Sequence, residues 1–142
     1  TEHGPMGGDE INLIEVDQIN TNKILNYGWP ISSYGEHYVG NQEKYKKYPL
    51  HKSHSKYGFI EPLTYFTPSI GISEIVKIGK NKYVASSLKY KSLYFFELNN
   101  KKTMINLKKT QVFERVRDLK FYNDKLYLFM EDSASIGIVY LN

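Results

Sequence analysis

The chain has 142 residues, a formal net charge of +4 and no cysteine. That length suffices for one domain with its own core, and the missing cysteines exclude disulfides, thiol nucleophiles and zinc–thiolate sites. The lysines are scattered, with no basic run interleaved with aromatics, which argues against nucleic-acid binding, and no stretch reaches the roughly 20 apolar residues of a membrane span.

Aromatic residues make up 15% of the chain, with 13 tyrosines and 7 phenylalanines, a composition that favours strands. The chain opens on Thr1-Glu2-His3-Gly4-Pro5-Met6-Gly7-Gly8-Asp9-Glu10-Ile11-Asn12. Gly and Pro hold backbone in irregular conformations that expose carbonyl oxygens. Carboxylates beside bare carbonyls are ligands that a hard cation such as calcium takes. A glycine-rich surface turn leading into a strand explains the same residues, and no metal-loop spacing rule decides between the two. Thr1, set inside so organised a motif, predicts a chain that begins within a longer protein.

Residues 11–15 read as a short strand, and 16–25, polar and Asn-rich, as a loop insertion. Asn26-Tyr27-Gly28-Trp29-Pro30 is compact and aromatic. From 32 to 62 the chain shows no period of 2 or 3.6 and reads as a long excursion loop; His51 and His54 within it are expected to be exposed. Beyond Pro68 the texture changes. Runs at 72–78, 82–88, 92–98 and 102–107 are short and apolar or alternating, with turns at Gly79-Lys80-Asn81 and Asn99-Asn100-Lys101, and predict a four-stranded antiparallel meander. A second set follows at 118–122, 125–131 and 136–141, offset by 43 to 44 residues. One four-stranded sheet per roughly 40–50 residues is the pattern of β-propeller blades. The predicted fold class is all-β, with no amphipathic helix. Residues 1–30, 31–66 and 67–142 divide into the opening motif, the excursion loop and about two blades.

The chain has two arginines, Arg115 and Arg117, within Glu114-Arg115-Val116-Arg117-Asp118. On extended backbone, i and i+2 point to one side, and two guanidinium forks there make a cradle for carboxylates or phosphates. A pair of surface salt bridges with Glu114 and Asp118 is the other reading. Lys89, at the end of a strand, reads by itself as a solvated lysine. His3, His37, His51 and His54 show no metal spacing.

These segments together resemble the soluble pyrroloquinoline quinone (PQQ)-dependent sugar dehydrogenases, the glucose/sorbosone and aldose sugar dehydrogenase group. The resemblance rests on Thr1 to Asn12, Asn26-Tyr27-Gly28-Trp29-Pro30, Thr67-Pro68-Ser69-Ile70, Ser87-Leu88-Lys89 and Arg115-Val116-Arg117-Asp118, all in the family's order. It implies the C-terminal part of a six-bladed propeller that holds PQQ and calcium. Gly4 and Pro5 would hold the cofactor's calcium through their carbonyls, Glu10 and Tyr27 a second calcium, and Lys89, Arg115 and Arg117 the PQQ carboxylates. The implied reaction is oxidation of the C1 hydroxyl of an aldose, with a separate electron acceptor. The family's catalytic histidine lies upstream of the matched part, so this chain alone is expected to be inactive; the alternative is a non-catalytic propeller that kept the scaffold as an interaction module. Open strand edges predict a homodimer or other self-association. Family habit implies a periplasmic or secreted protein.

Overall fold

A computed structural model describes residues 1–19, 24–38 and 42–141. Two compact units divide the chain, one over Glu2–Ser69 and one over Ile70–Asn142. Part of the polar stretch expected as a loop insertion, residues 20–23, lies outside the described residues.

The second unit is built of antiparallel sheet. Its strands are β3 (Ile72–Lys77), β4 (Lys82–Ser87), β5 (Ser92–Leu98), β6 (Met104–Gln111), β7 (Val116–Tyr122), β8 (Lys125–Met130) and β9 (Ser135–Tyr140). Two meanders result: a four-stranded sheet in the order β3-β4-β5-β6 and a three-stranded sheet in the order β7-β8-β9. The sequence places all seven strands. The third turn of the first meander sits later than expected, so its last strand begins at Met104 and runs to Gln111. Tight turns of Gly, Asn and Lys between alternating apolar runs leave each strand no partner nearer than its sequence neighbour.

The core lies where the inner strands present one apolar face to the other. Val84 and Leu93 of the first sheet pack with Val116, Leu119, Leu126 and Leu128 of the second. Each such side chain contributes about 1.5–3 kcal/mol by leaving water. β8 shows the period: Leu126 and Leu128 are buried while the residues between them are not. The first strand of each sheet carries a register shift directly after its first pair, between Ile72 and Ile75 in β3 and between Val116 and Asp118 in β7. Such bulges re-aim side chains. In β3 the Ser86 hydroxyl fills the gap, accepting a bond from the Glu74 N–H at 3.2 Å. Ser73 Oγ then donates to the Val116 carbonyl at 2.7 Å.

The first unit has little regular structure. β1 (Asp9–Ile11) pairs antiparallel with β2 (Thr64–Phe66), and Glu2 bridges the other side of Glu10. Two short helices, α1 (Val16–Ile19) and α2 (Gln42–Lys47), and a 3-10 turn over Ser55–Tyr57 interrupt the rest. The strand thus starts two residues before the apolar run, at the carboxylates themselves. The excursion loop is not structureless: backbone bridges join Met6 to Glu36 and Ser32 to His51, and Ile60 N–H bonds the Asn26 carbonyl at 2.9 Å.

Candidate functional site

Within the blade unit, the expected cofactor residues collect at one end of the strands. Lys89 lies in the turn that joins β4 to β5, and Arg115 and Arg117 at the entry to β7. These connections share an end, since Lys91 of the β4–β5 turn pairs with Asp132 after β8 and β7 begins where β8 finishes. Lys89 is exposed, its backbone N–H bonded to the Ile70 carbonyl at 3.1 Å and its ammonium 5.6 Å from the centre of the Tyr90 ring. Val116, between the two arginines, is fully buried, which turns both guanidinium groups outward, and both meet Glu131. Arg115 Nε stands 3.4 Å from Glu131 Oε1, and Arg117 Nη2 donates to Glu131 Oε2.

The salt-bridge reading named the wrong acids. Asp118 turns its carboxylate back on the next backbone N–H, that of Leu119, at 2.7 Å, and Glu114 Oε2 is buried with no hydrogen bond. Because Arg117 occupies the bulge of β7, its side chain swings to the β8–β9 turn, where Glu131 stands; sequence spacing carries no sign of that. A second pair closes the same turn, with Lys91 Nζ 2.7 Å from Asp132 Oδ2. That hydrogen bond, with the Lys91 and Arg115 charges, holds the Asp132 carboxyl below its usual value. A cavity of about 600 Å³ in this unit, lined by Lys82, Phe95, Glu97, Lys108 and Tyr140, sits at the opposite strand ends and takes no part in the cationic edge.

Within the first unit, the opening motif is folded back on itself. A Cβ on Gly4 would stand 2.0 Å from the Gly7 carbonyl oxygen, so no other residue fits there. Asp9, fully buried, pins the loop: Oδ1 accepts the Gly4 N–H at 3.1 Å and the Ser69 hydroxyl at 2.5 Å. Among the described residues, neither the Gly4 nor the Pro5 carbonyl accepts a hydrogen bond, which suits both to a hard cation.

Glu10 is 2% exposed and Oε2 has no hydrogen-bond partner. Burial first, and the nearby acids Glu2 and Glu61 second, push its carboxyl up to about 7 against the pull of Asn12. Tyr27 donates its hydroxyl to the Leu13 carbonyl at 2.9 Å, and burial raises that phenol too.

His54 is the functional candidate that sequence reading misses. Expected to be exposed, it is fully buried. Its Nε2 lies 3.4 Å from Glu10 Oε1 and its Nδ1 3.5 Å from Glu61 Oε2. The 3-10 turn holds it inward, since the Tyr57 and Phe59 N–H groups both bond the His54 carbonyl at 3.0 Å. Burial works to raise the Glu61 carboxyl, but hydrogen bonds from the Ser55 N–H at 2.8 Å, the Tyr34 hydroxyl at 2.8 Å and the Ser55 hydroxyl at 2.9 Å bring it down to about 2. Burial and the same Glu61 contact push the Tyr34 phenol up to about 12. The one sequence sign is Gly28. It has φ +98, and a Cβ there would stand 2.7 Å from the ring carbon Cδ2 of His54. His51, the other histidine of this loop, is half-buried and stacks on Tyr57 at 3.7 Å.

One unit is thus built of antiparallel meanders with Lys89, Arg115 and Arg117 at one strand end, and the other carries a glycine–proline loop whose Gly4 and Pro5 carbonyls accept no hydrogen bond among the described residues. The sequence profile of the Glucose / Sorbosone dehydrogenase family matches residues 1–139, and the chain belongs to that family. It is 28% identical over 142 aligned positions to the aldose sugar dehydrogenase YliI of Escherichia coli K12, covering 94% of this chain and 35% of that protein. It is also 28% identical over 127 positions to the uncharacterized protein slr1608 of Synechocystis, covering 84% of this chain and 28% of that protein. Among solved structures it is similar to a glucose dehydrogenase, with a TM-score of 0.74 at 26% identity over 96% of this chain and 38% of the other. The soluble aldose sugar dehydrogenase of E. coli, in its apo form, gives 0.72 at 26% identity over the same shares. The chain thus spans about a third of the length of the curated relatives it matches.

Proposed function

We propose that this chain is the C-terminal part of a PQQ- and calcium-dependent dehydrogenase of aldoses. The carrying observation is the turn of Arg115 and Arg117 to one side around buried Val116, at the strand end that also bears Lys89. PQQ carries three carboxylates; two forks and an ammonium match that charge, and Glu131 offsets only one of the three cations. Bound PQQ supplies a quinone that accepts hydride, and calcium supplies a Lewis acid.

The chain's own residues bind and orient. Lys89, Arg115 and Arg117 hold carboxylates, with Glu131 bonded to the Arg117 guanidinium and facing that of Arg115 before the ligand arrives. The Gly4 and Pro5 carbonyls, held by Asp9, offer oxygens to calcium. None of the four histidines is assigned as base: His54 is enclosed by carboxylates, and His37 Nε2 lies 2.7 Å from the Tyr48 carbonyl. We further propose that the chain by itself self-associates through the open edge of β9, which exposes Ile136, Ile138 and Tyr140. A periplasmic or secreted location agrees with the family.

A second reading has a specific support. Both arginines already face Glu131, Arg117 through a hydrogen bond and Arg115 at 3.4 Å, as they would in a propeller that lost its cofactor and kept its surface. A dye-linked assay with PQQ, calcium and a panel of aldoses separates the readings. The 142-residue chain is expected to give no turnover above background, and a version extended to the length of its relatives to turn over in a PQQ-dependent way. Turnover by the short chain would refute the missing-base argument; an inert extended protein would favour the interaction module.

A further inference from the structure

Buried polar atoms without a hydrogen bond gather in one part of the first unit. They are Glu10 Oε2, Asn12 Oδ1, Ser32 Oγ and both ring nitrogens of His54. Glu10, Ser32 and His54 are each at most 2% exposed. Leaving such atoms unpartnered is costly, and a buried carboxylate needs a compensating charge.

The distances suit a shared ion better than a direct bond. Glu10 Oε1 stands 3.4 Å from His54 Nε2, and the imidazole makes no hydrogen bond there. Two ligand atoms each held about 2.0–2.2 Å from a tetrahedral ion stand about 3.3–3.5 Å apart. The Asn12 side chain lies against the same carboxyl. Ser32 borders the Nε2 half of the ring: a Cβ on Gly28 would stand 3.0 Å from Ser32 Cβ and 2.7 Å from His54 Cδ2, the ring carbon bonded to Nε2.

The far side of the ring is braced. Nδ1 faces Glu61 Oε2 at 3.5 Å, and Glu61 is fixed by the Ser55 N–H and the Tyr34 hydroxyl, both at 2.8 Å. Tyr34 covers the ring at 5.2 Å between centres. A carboxylate facing the second nitrogen of a metal-bound imidazole sets its tautomer and orientation. Among the described residues no three His, Asp or Glu side chains are placed to share an ion; the set here is one carboxylate and one imidazole with an amide and a hydroxyl. Calcium takes an oxygen shell, whereas imidazole beside carboxylate suits a borderline divalent ion such as zinc.

We propose that Glu10 and His54 bind one divalent transition-metal ion of the zinc class, with Asn12 Oδ1 and Ser32 Oγ completing its shell and Glu61 orienting the imidazole. The resemblance gives no role to His54, Asn12, Ser32 or Glu61, and the ion differs from the calcium it implies at Glu10. Such an ion joins β1 to the segments around Gly28 and His54 and fixes the loop unit. The site uses neither the cationic edge nor the Gly4 and Pro5 carbonyls, so it does not rest on the PQQ reading.

The full 142-residue chain, freed of metal by chelation, is titrated with zinc chloride by calorimetry as wild type, Glu10→Gln, His54→Gln and Glu61→Gln. In parallel, the ring nitrogens of ¹⁵N-histidine-labelled wild type are followed by NMR. The expected result is one zinc equivalent that Glu10→Gln and His54→Gln both lose and that excess calcium does not displace. Its binding moves the His54 Nε2 signal, and Glu61→Gln weakens it by about 10–100-fold. Zinc held equally by the wild type and both ligand variants would sit on the other histidines only and overturns the proposal. Displacement by calcium overturns it too, returning Glu10 to the ion that the resemblance implies, as does a wild type that takes up no zinc. If the ligand variants fail to fold, the wild-type NMR titration decides: a His54 Nε2 signal that zinc leaves unmoved overturns the proposal, and a shifted one upholds it.

Discussion

The two units of this chain are held by different means. Over Ile70–Asn142, apolar side chains at period 2 are buried between two meanders, and the polar residues stay at rims and turns. Over Glu2–Ser69, the fully or nearly fully buried side chains include Asp9, Glu10, Ser32, Ser33 and His54, and polar contacts, some hydrogen-bonded and some not, with close glycine contacts stand where an apolar core would. The blade unit tolerates imprecision because apolar contact is non-directional. The loop unit does not, because each buried polar group is costly unless its one partner is present.

The comparison breaks most easily at the blade core. Leu126→Ala leaves a cavity among Val84, Leu93 and Val116 and is expected to cost about 2–5 kcal/mol, read from urea unfolding. A cost under ~1 kcal/mol would mean that the two sheets do not share a core. Next is Gly28→Ala, which meets both a positive φ and the His54 ring. Roughly 1–3 kcal/mol is expected, together with altered ¹⁵N signals of His54; an unperturbed ring would show that the glycine is not making room for it.

A pH dependence comes third. The Glu10 carboxyl, faced by His54, Glu2 and Glu61, keeps its proton to about 7 in the folded chain against 4.5 for the ordinary group. The folded state therefore binds more protons between those values, and stability falls as pH rises through that window. Glu10→Gln should remove that fall, on the order of 3 kcal/mol between pH 4.5 and 8; an unchanged slope would assign it to another group. The smallest effect on stability belongs to Arg117→Ala. Its pair with Glu131 is solvent-exposed, so at most about 1 kcal/mol is at stake.

What the sequence makes legible follows the same division. The strands of the blade unit are set by local alternation and by turn residues, so all seven are found, with errors only where a turn slides, as at Met104. The cationic edge is half legible: two arginines at i and i+2 must share a face, but their acid, Glu131, is brought by a bulge that no pattern announces. The loop unit is legible only through motif resemblance. Asp9 beside Ser69, and His54 beside Glu10 and Gly28, are contacts between segments tens of residues apart, and a polar loop with buried histidine has the same composition as one with exposed histidine. Family membership is carried by the ordered motifs, and the sheets agree with it.

The functional claim stands or falls on PQQ binding at the blade edge. The direct measurement is the calcium-supplemented dissociation constant of PQQ, by calorimetry, for the protein extended to family length and for its Arg115→Ala/Arg117→Ala double variant, with thermal unfolding alongside. The account predicts affinity weaker by at least tenfold, about 1.4 kcal/mol, at a melting temperature that barely moves. Unchanged affinity in a folded double variant would contradict it and leave these arginines as a surface clasp on Glu131.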